Sequence, residues 1–328
     1  LFTSEASAAR LLRGVRWAGG VSCPHCRSNA VIRWAWYRRA YQRYRCKACR
    51  RTFNDKTGTT FAYSRIALNE WLFLAYLLAC LHVSILRAAR ELERNYGVVY
   101  RSARRVMNVV HGGKPSIGSE RLSGTVEVDE VYLTAGLKGR GNRERIGRLG
   151  RKPRRRGLKG RPGRGIWELD KPPIVILVER GGRERYVPST DVEGGTVGKI
   201  ALRHVEQGSQ IYTDGFLSYA VLSSLGFNHE WVNHSEGEYA RGDIHVNNCE
   251  NRCSLLRPWL ALHRGISKDN LGAYLSLFQF QRATASLTSL QRLKLLVKLK
   301  NRPTTFLSKS DFRNTDAAAD EIGMVTSR

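Results

Sequence analysis

The chain has 328 residues, enough for two or three domains, and an apolar share of 42%, ordinary for a soluble protein. Its formal charge of +27 is not ordinary: self-repulsion of that size favours a polyanionic partner, with nucleic acid the first candidate. No membrane anchor is expected: the apolar run Trp71–Leu86 is shorter than the roughly 20 residues a span needs, lies inside a longer helical pattern and reads as a buried helix. The opening stretch has no signal-peptide pattern. Of seven cysteines, four stand in paired C-x-x-C spacing, which points to metal binding in a reducing, cytoplasmic compartment rather than to disulfides.

In chain order, residues 1–20 read as a short helix leading into a first knuckle. Cys23-Pro-His-Cys26 and Cys46-Lys-Ala-Cys49 are 19 residues apart, the pattern of a closed tetrahedral zinc site with two thiolates from each knuckle. His25 reads as a turn residue. Between the knuckles, aromatics alternate with arginines from Val31 to Arg45. That composition suits a β-hairpin whose Arg38, Arg39 and Arg43 meet phosphates, or one whose aromatics merely cover the ribbon.

Residues 61–113 read as helical. Arg87–Leu92 is one helix, Asn95-Tyr96-Gly97 a turn, and Val98–Val109 a second helix carrying Arg101, Arg104 and Arg105. The pair has a helix-turn-helix pattern suited to DNA, with an ordinary helical hairpin as the plain alternative. His111–Gly124 is a linker.

Thr125–Leu133 alternates as a β-strand and carries Asp129 at its middle, a poor place for a carboxylate. Period-two geometry puts Glu127 on the same face as Asp129 and Glu130 on the other. Leu137–Gly165 is nearly all Arg, Lys and Gly, Arg154, Arg155 and Arg156 among them, and reads as a mobile basic loop that holds DNA by its phosphates. Strands are expected at Ile174–Glu179, Arg185–Val187 and Gln210–Thr213, with a helix at about Glu193–Val205. Asp214 closes the last strand at a glycine turn. Glu250, separated from Asp214 by 35 residues, lies in the helical stretch His245–Arg257. Strand, strand, helix is the order of carboxylates in a ribonuclease-H-like core. His245, Cys249 and Cys253 share one stripe of that helix, suited to packing against the sheet or, alternatively, to a second metal.

These motifs together resemble the DDE transposases of prokaryotic insertion sequences, in particular the ISXO-type group with an N-terminal zinc ribbon. The resemblance rests on Cys23–Cys26, Tyr44–Phe53, Thr57–Thr59, Val126–Glu130, Ile211–Asp214, Val232–Ser235, Gly237–Tyr239 and the Glu250 helix, and spans roughly residues 1–285. It implies that Asp129, Asp214 and Glu250 are the metal-binding triad, and that the protein works as a dimer or larger assembly on DNA. The family's lysine seven residues after the glutamate is Arg257 here, followed by Pro258, which is expected to end the helix.

The expected fold is therefore α/β. Residues 1–60 form an N-terminal helix and zinc ribbon, and 61–113 a helix-turn-helix region. Residues 114–286 form a ribonuclease-H-like catalytic core with the basic loop 137–165, and 287–328 a C-terminal helix and disordered tail. The expected activity is cleavage and joining of double-stranded DNA at element ends and targets. Asp129, Asp214 and Glu250 would hold two Mg²⁺ or Mn²⁺ ions, with Arg257 beside them and a structural Zn²⁺ in the ribbon. Two other readings stay open: a transposase-derived DNA-binding regulator with an inactive core, and a ribonuclease-H-like nuclease.

Overall fold

The computed structural model describes residues 4–64, 66–112, 120–136, 147–148, 165, 167 and 170–300. Two compact units divide the chain, one drawn from residues 1–109 and 287–328, the other from 110–286.

The first unit opens with α1 (Glu5–Arg16), whose start is capped by the Ser4 hydroxyl accepting from the Ser7 N–H. Three antiparallel strands follow: β1 (Val31–Tyr37), β2 (Tyr41–Cys46) and β3 (Thr52–Asn54). This small sheet has little core beyond Tyr44 and Phe53, stacked at 5.3 Å between ring centres, and the buried Cys23 and Cys46. Asp55 ties it to α1. Its buried carboxylate accepts two bonds from Arg13, at 2.7 and 3.1 Å, and one from the Gln42 N–H.

The apolar run folds as the buried helix α2 (Leu68–Ala79), but the helix stops at Ala79. His82 takes a positive φ of 54°, and Ser84 caps a new helix, α3 (Ile85–Glu91). The next helix, α4 (Tyr96–Gly112), includes Tyr96 and Gly97, which the sequence assigned to the turn. The reason is local: the Asn95 side chain accepts from the Gly97 N–H and starts the helix two residues earlier. A helix over Ser289–Lys300 packs on α1 and α2 in this unit.

The second unit is built on β4 (Thr125–Tyr132), β5 (Pro173–Glu179), β6 (Glu184–Pro188), β7 (Gln210–Thr213) and β8 (Asn228–Trp231), in the order β6-β5-β4-β7-β8. β4, β5 and β6 pair antiparallel, whereas β7 and β8 run parallel to β4. Val126, Val128, Val175 and Leu177 bury one face against α5 (Gly194–His204), a 3-10 turn at Leu217–Ala220 and the short α6 (Val221–Ser224). The other face of β4 and β5 receives α7 (Asn247–Ala261), and β6 receives α8 (Leu271–Ala283). The chain then enters α9 (Ser289–Lys300).

α7 continues through Pro258 to Ala261, four residues beyond the expected stop at Arg257. Pro258 cannot donate to the Ser254 carbonyl, but both residues lie on the exposed side of the helix, where water can serve that carbonyl. Trp259 and Leu260 are buried, and Trp259 packs on Tyr274 and Phe278 of α8. Packing of the last turn outweighs the local preference. Among the described residues, no helix is long and apolar enough to cross a membrane.

Candidate active site and metal centres

The four ribbon cysteines converge. The sulfurs of Cys23 and Cys49 lie 3.6 Å apart, and those of Cys26 and Cys46 3.5 Å apart. Thiolates about 2.3 Å from a zinc ion at the centre of a tetrahedron are about 3.8 Å from one another, so the set fits. The knuckles are made by the chain reversing just after each pair, where Arg27 and Arg50 take positive φ values of 63° and 59°. The Cys49 N–H donates to the Cys46 sulfur and holds that thiol down to about 7. Burial pushes Cys23 up to about 12, so a metal must displace its proton.

At the tip of the β1–β2 hairpin, Arg38 and Arg39 both adopt left-handed backbone, with φ of 50° and 53°. Glycine or asparagine would sit there at lower cost, about 1 kcal/mol each. Arg43 is exposed on β2, as are Trp34, Trp36 and Tyr37 on β1. Guanidinium groups cover these rings: Arg45 over Trp34 at 5.0 Å and Arg38 over Tyr37 at 5.5 Å. On α4, Arg101 is exposed, whereas Arg104 and Arg105 are half-buried, and burial lowers the Arg105 pKa. Arg154, Arg155 and Arg156 lie outside the described residues.

The acidic site forms at the ends of the central strands. β4 and β7 pair in parallel with Glu127 opposite Tyr212, so continuing the register by two residues brings Asp214 level with Asp129. The turn after β7 admits only glycine at Gly215. Its φ is +78°, and a Cβ there would come within 2.8 Å of the Trp231 ring. Asp214 Oδ1 accepts from the Phe216 N–H and is thereby fixed. Oxygens of Asp129, Glu130 and Asp214 all lie within 4.8 Å of one another.

Glu130 corrects the strand alternation in part. It leaves β4 toward Tyr219, whose hydroxyl donates to Oε2 at 2.6 Å, yet its carboxylate still joins the Asp129 group. Two adjacent acids in a strand were the available signal, and alternation alone separated them. Glu250, in the first turn of α7, is exposed and stands outside the tight trio, but its charge reaches Asp129. Burial first, then Glu130, Asp214 and Glu250, push Asp129 up to about 7. A crowded set of oxygen donors in which Asp129 ionises only at a cost is suited to hard divalent cations. Arg257 follows two turns after Glu250 on the exposed side of α7, and its charge reaches Cys253 between them.

Glu127 does not join the trio, although it shares a strand face with Asp129. It is fully buried and bonded to the start of α7. Nor do His245, Cys249 and Cys253 form a metal-binding cluster among the described residues. Cys249 instead donates to the carbonyls of Glu127 and Ile176, stitching α7 to β4 and β5.

Residues 121–283 match the ISXO2-like transposase domain, and residues 3–52 the transposase zinc-ribbon domain. An uncharacterized protein in transposable element ISH50 of Halobacterium salinarum is 41% identical over 299 residues, covering 90% of this chain and 97% of that protein. An uncharacterized transposase-like protein of Haemophilus influenzae is 30% identical over 109 residues, or 33% of this chain and 88% of its own length. Among solved structures, a pre-cleavage Mos1 transpososome matches 70% of this chain and 78% of its own at 14% identity. Its TM-score of 0.24 is too low to bear on the fold.

Proposed function

Because the chain belongs to the ISXO2-like transposase family, we propose that it is a DNA transposase that binds insertion-sequence ends, cleaves them and joins them to target DNA. The observation that carries the reading is the meeting of Asp129 and Asp214 at adjacent strand ends, with the charge of Glu250, in the first turn of α7, reaching Asp129. The sheet order β6-β5-β4-β7-β8, with three antiparallel and two parallel strands, supports a ribonuclease-H-like core.

Asp129, Asp214 and Glu250 would hold the catalytic cations, and Glu130 stands close enough to add an oxygen. Two Mg²⁺ or Mn²⁺ ions bound there supply activation of the attacking oxygen and charge stabilisation at the leaving 3′-oxygen. The attacking oxygen belongs to water in cleavage and to a DNA 3′-hydroxyl in joining, so no protein nucleophile is needed. Arg257 clamps a phosphate near the site through its planar fork. In the other unit, Cys23, Cys26, Cys46 and Cys49 hold a structural zinc. Arg38, Arg39 and Arg43 meet phosphates at the hairpin, its exposed aromatics contact sugar faces, and Arg101, Arg104 and Arg105 line the α4 side of a helix-turn-helix. Arg154, Arg155 and Arg156 add sequence-independent affinity. Two ends must be cut together, so the working form is a dimer or larger on DNA.

The test is strand cleavage and joining on labelled element ends. Asp129→Ala, Asp214→Ala and Glu250→Ala should each remove both activities, by roughly a thousandfold or more, while end binding persists. Activity should appear with Mg²⁺ or Mn²⁺ and fail with Ca²⁺. A wild-type protein that binds ends and cuts with neither metal would support a DNA-binding regulator instead.

A further inference from the structure

The start of α7 lacks a cap of its own. Val246 occupies the N-cap position and offers no side-chain hydrogen bond, so the first N–H groups of a 15-residue helix need another acceptor. The acceptor comes from the neighbouring strand. Glu127 Oε2 accepts from the Asn248 N–H at 2.8 Å and the Cys249 N–H at 3.3 Å, and Oε1 accepts from Asn248 Nδ2 at 2.8 Å.

The same carboxylate is held from behind. Arg180 Nε donates to Oε1 at 3.0 Å, and the His245 ring lies 3.3 Å from that oxygen. Arg180 also donates to the Asp243 carbonyl at 2.7 Å and covers the Tyr212 ring at 4.9 Å, so it spans β5, β7 and the segment leading into α7. Glu127 is 0% exposed, a costly position for a carboxylate unless every oxygen is used. Here both are. A carboxylate at the positive end of a helix is also favoured by the aligned backbone dipoles.

Its place in the chain is what gives this contact a consequence. Glu127 stands two residues before Asp129 on β4, and the two N–H groups it holds belong to the residues just before Glu250. One side chain thus fixes the first turn of α7 against the strand that carries Asp129. The rest of α7 has its own attachments: Cys253, Leu256, Trp259 and Leu260 are buried, and Arg252 pairs with Glu184 of β6. In the first turn itself the Cys249 sulfur also donates to the Glu127 and Ile176 carbonyls, but it does not take up the turn's N–H groups as the Glu127 carboxylate does.

Resting on the proposed triad, we infer that Glu127 is a positioning residue, a buried strand carboxylate that sets the start of α7 so that Glu250 meets the cations held by Asp129 and Asp214. It touches neither metal nor DNA. Residues that orient a ligand in this way typically change metal affinity 10- to 100-fold when altered.

The experiment is a Mn²⁺ titration of the zinc-loaded full chain, reading free Mn²⁺ by electron paramagnetic resonance, with thermal unfolding followed in parallel. Glu127→Gln keeps the shape and one acceptor oxygen, and should weaken Mn²⁺ binding about tenfold while the protein stays folded. Cleavage should lose kcat with the KM for DNA ends unchanged. Combined with Glu250→Ala, Glu127→Gln should weaken Mn²⁺ no further than Glu250→Ala alone. Wild-type Mn²⁺ affinity in Glu127→Gln would overturn the inference, as would an undiminished further loss in the Glu250→Ala background. Glu250→Ala binding Mn²⁺ like wild type would instead overturn the triad itself. Should Glu127→Gln not fold, Asn248→Ala removes only the Nδ2 donor. It should still weaken Mn²⁺ about threefold, a smaller loss of the same kind, and unchanged affinity there would equally overturn the inference.

Discussion

The two candidate metal centres are built in opposite ways. In the ribbon, four ligands come from two short knuckles, and the surrounding core is little more than Tyr44, Phe53 and the cysteines themselves. In the acidic site, the grouped carboxylates come from β4 and the turn after β7, and a buried sheet holds those strands in place. The first centre should fold with its metal; the second should store repulsion until a metal arrives. A local site is legible as a spacing, whereas an assembled site is legible only through the fold that assembles it.

The largest effect that could break this contrast is zinc removal. A strong chelator, or Cys46→Ser, should unfold residues 21–54 and remove most of the ~10–16 kcal/mol that a structural zinc contributes to so small a unit. The core of residues 110–286 should keep its amide-exchange protection under the same treatment, and withdrawing Mg²⁺ should unfold neither unit. Exchange measured by mass spectrometry separates the two. Loss of protection along β4 and β5 on zinc removal would mean that the units are not independent.

The legibility of each part follows the same division. Cys23, Cys26, Cys46 and Cys49 stood out because ligand geometry fixes their spacing. The strand carrying Asp129 and the strand that ends just before Asp214 stood out because strand patterning is local. Three features did not. The stop of α2 at Ala79 depends on a positive φ at His82 that no residue type announced. The passage of α7 through Pro258 depends on Trp259 finding Tyr274 and Phe278, which are remote in sequence. Glu127 could be placed on the Asp129 face, but its partners at Arg180 and Asn248 lie 53 and 121 residues away. A buried carboxylate next to a site carboxylate looks the same in sequence whether it binds metal or braces a helix.

A second, smaller effect concerns the cost of keeping a buried, crowded Asp129 charged without a metal. Asp129 holds its proton up to about 7, whereas a carboxylate in an unfolded chain releases it near 4. Between those values the folded state binds more protons than the unfolded state, so stability falls as pH rises through that window and stays reduced above it. In metal-free protein, Asp129→Asn should therefore be more stable than wild type at pH 8, by on the order of 1–3 kcal/mol, and nearly equal to it at pH 4. Chemical denaturation of the core at both pH values gives the comparison. Saturating Mg²⁺ should shrink the difference at pH 8 by stabilising only the wild type. Equal stabilities at pH 8 would show that the trio is not strained.

The smallest effect concerns Arg257. Its backbone is helical in spite of Pro258, so it lies two turns after Glu250 on the exposed side of α7. On the proposed function this position holds a cation near the triad, as arginine rather than the lysine of the resembled family. If that cation meets a DNA phosphate near the site, charge is the main requirement and the fork geometry a refinement. Arg257→Lys should then keep joining activity within about tenfold of wild type, a change near 1.4 kcal/mol or less. Arg257→Ala should lose considerably more, and neither should alter Mn²⁺ affinity, since Arg257 brings no oxygen to the trio. Single-turnover joining on pre-cut ends isolates the step. Were Arg257→Ala to join as fast as wild type, the cation would be an incidental surface charge. A fall in Mn²⁺ affinity in Arg257→Lys would place Arg257 among the groups that arrange the carboxylates, blurring the separation between the residues that hold metal and those that hold DNA.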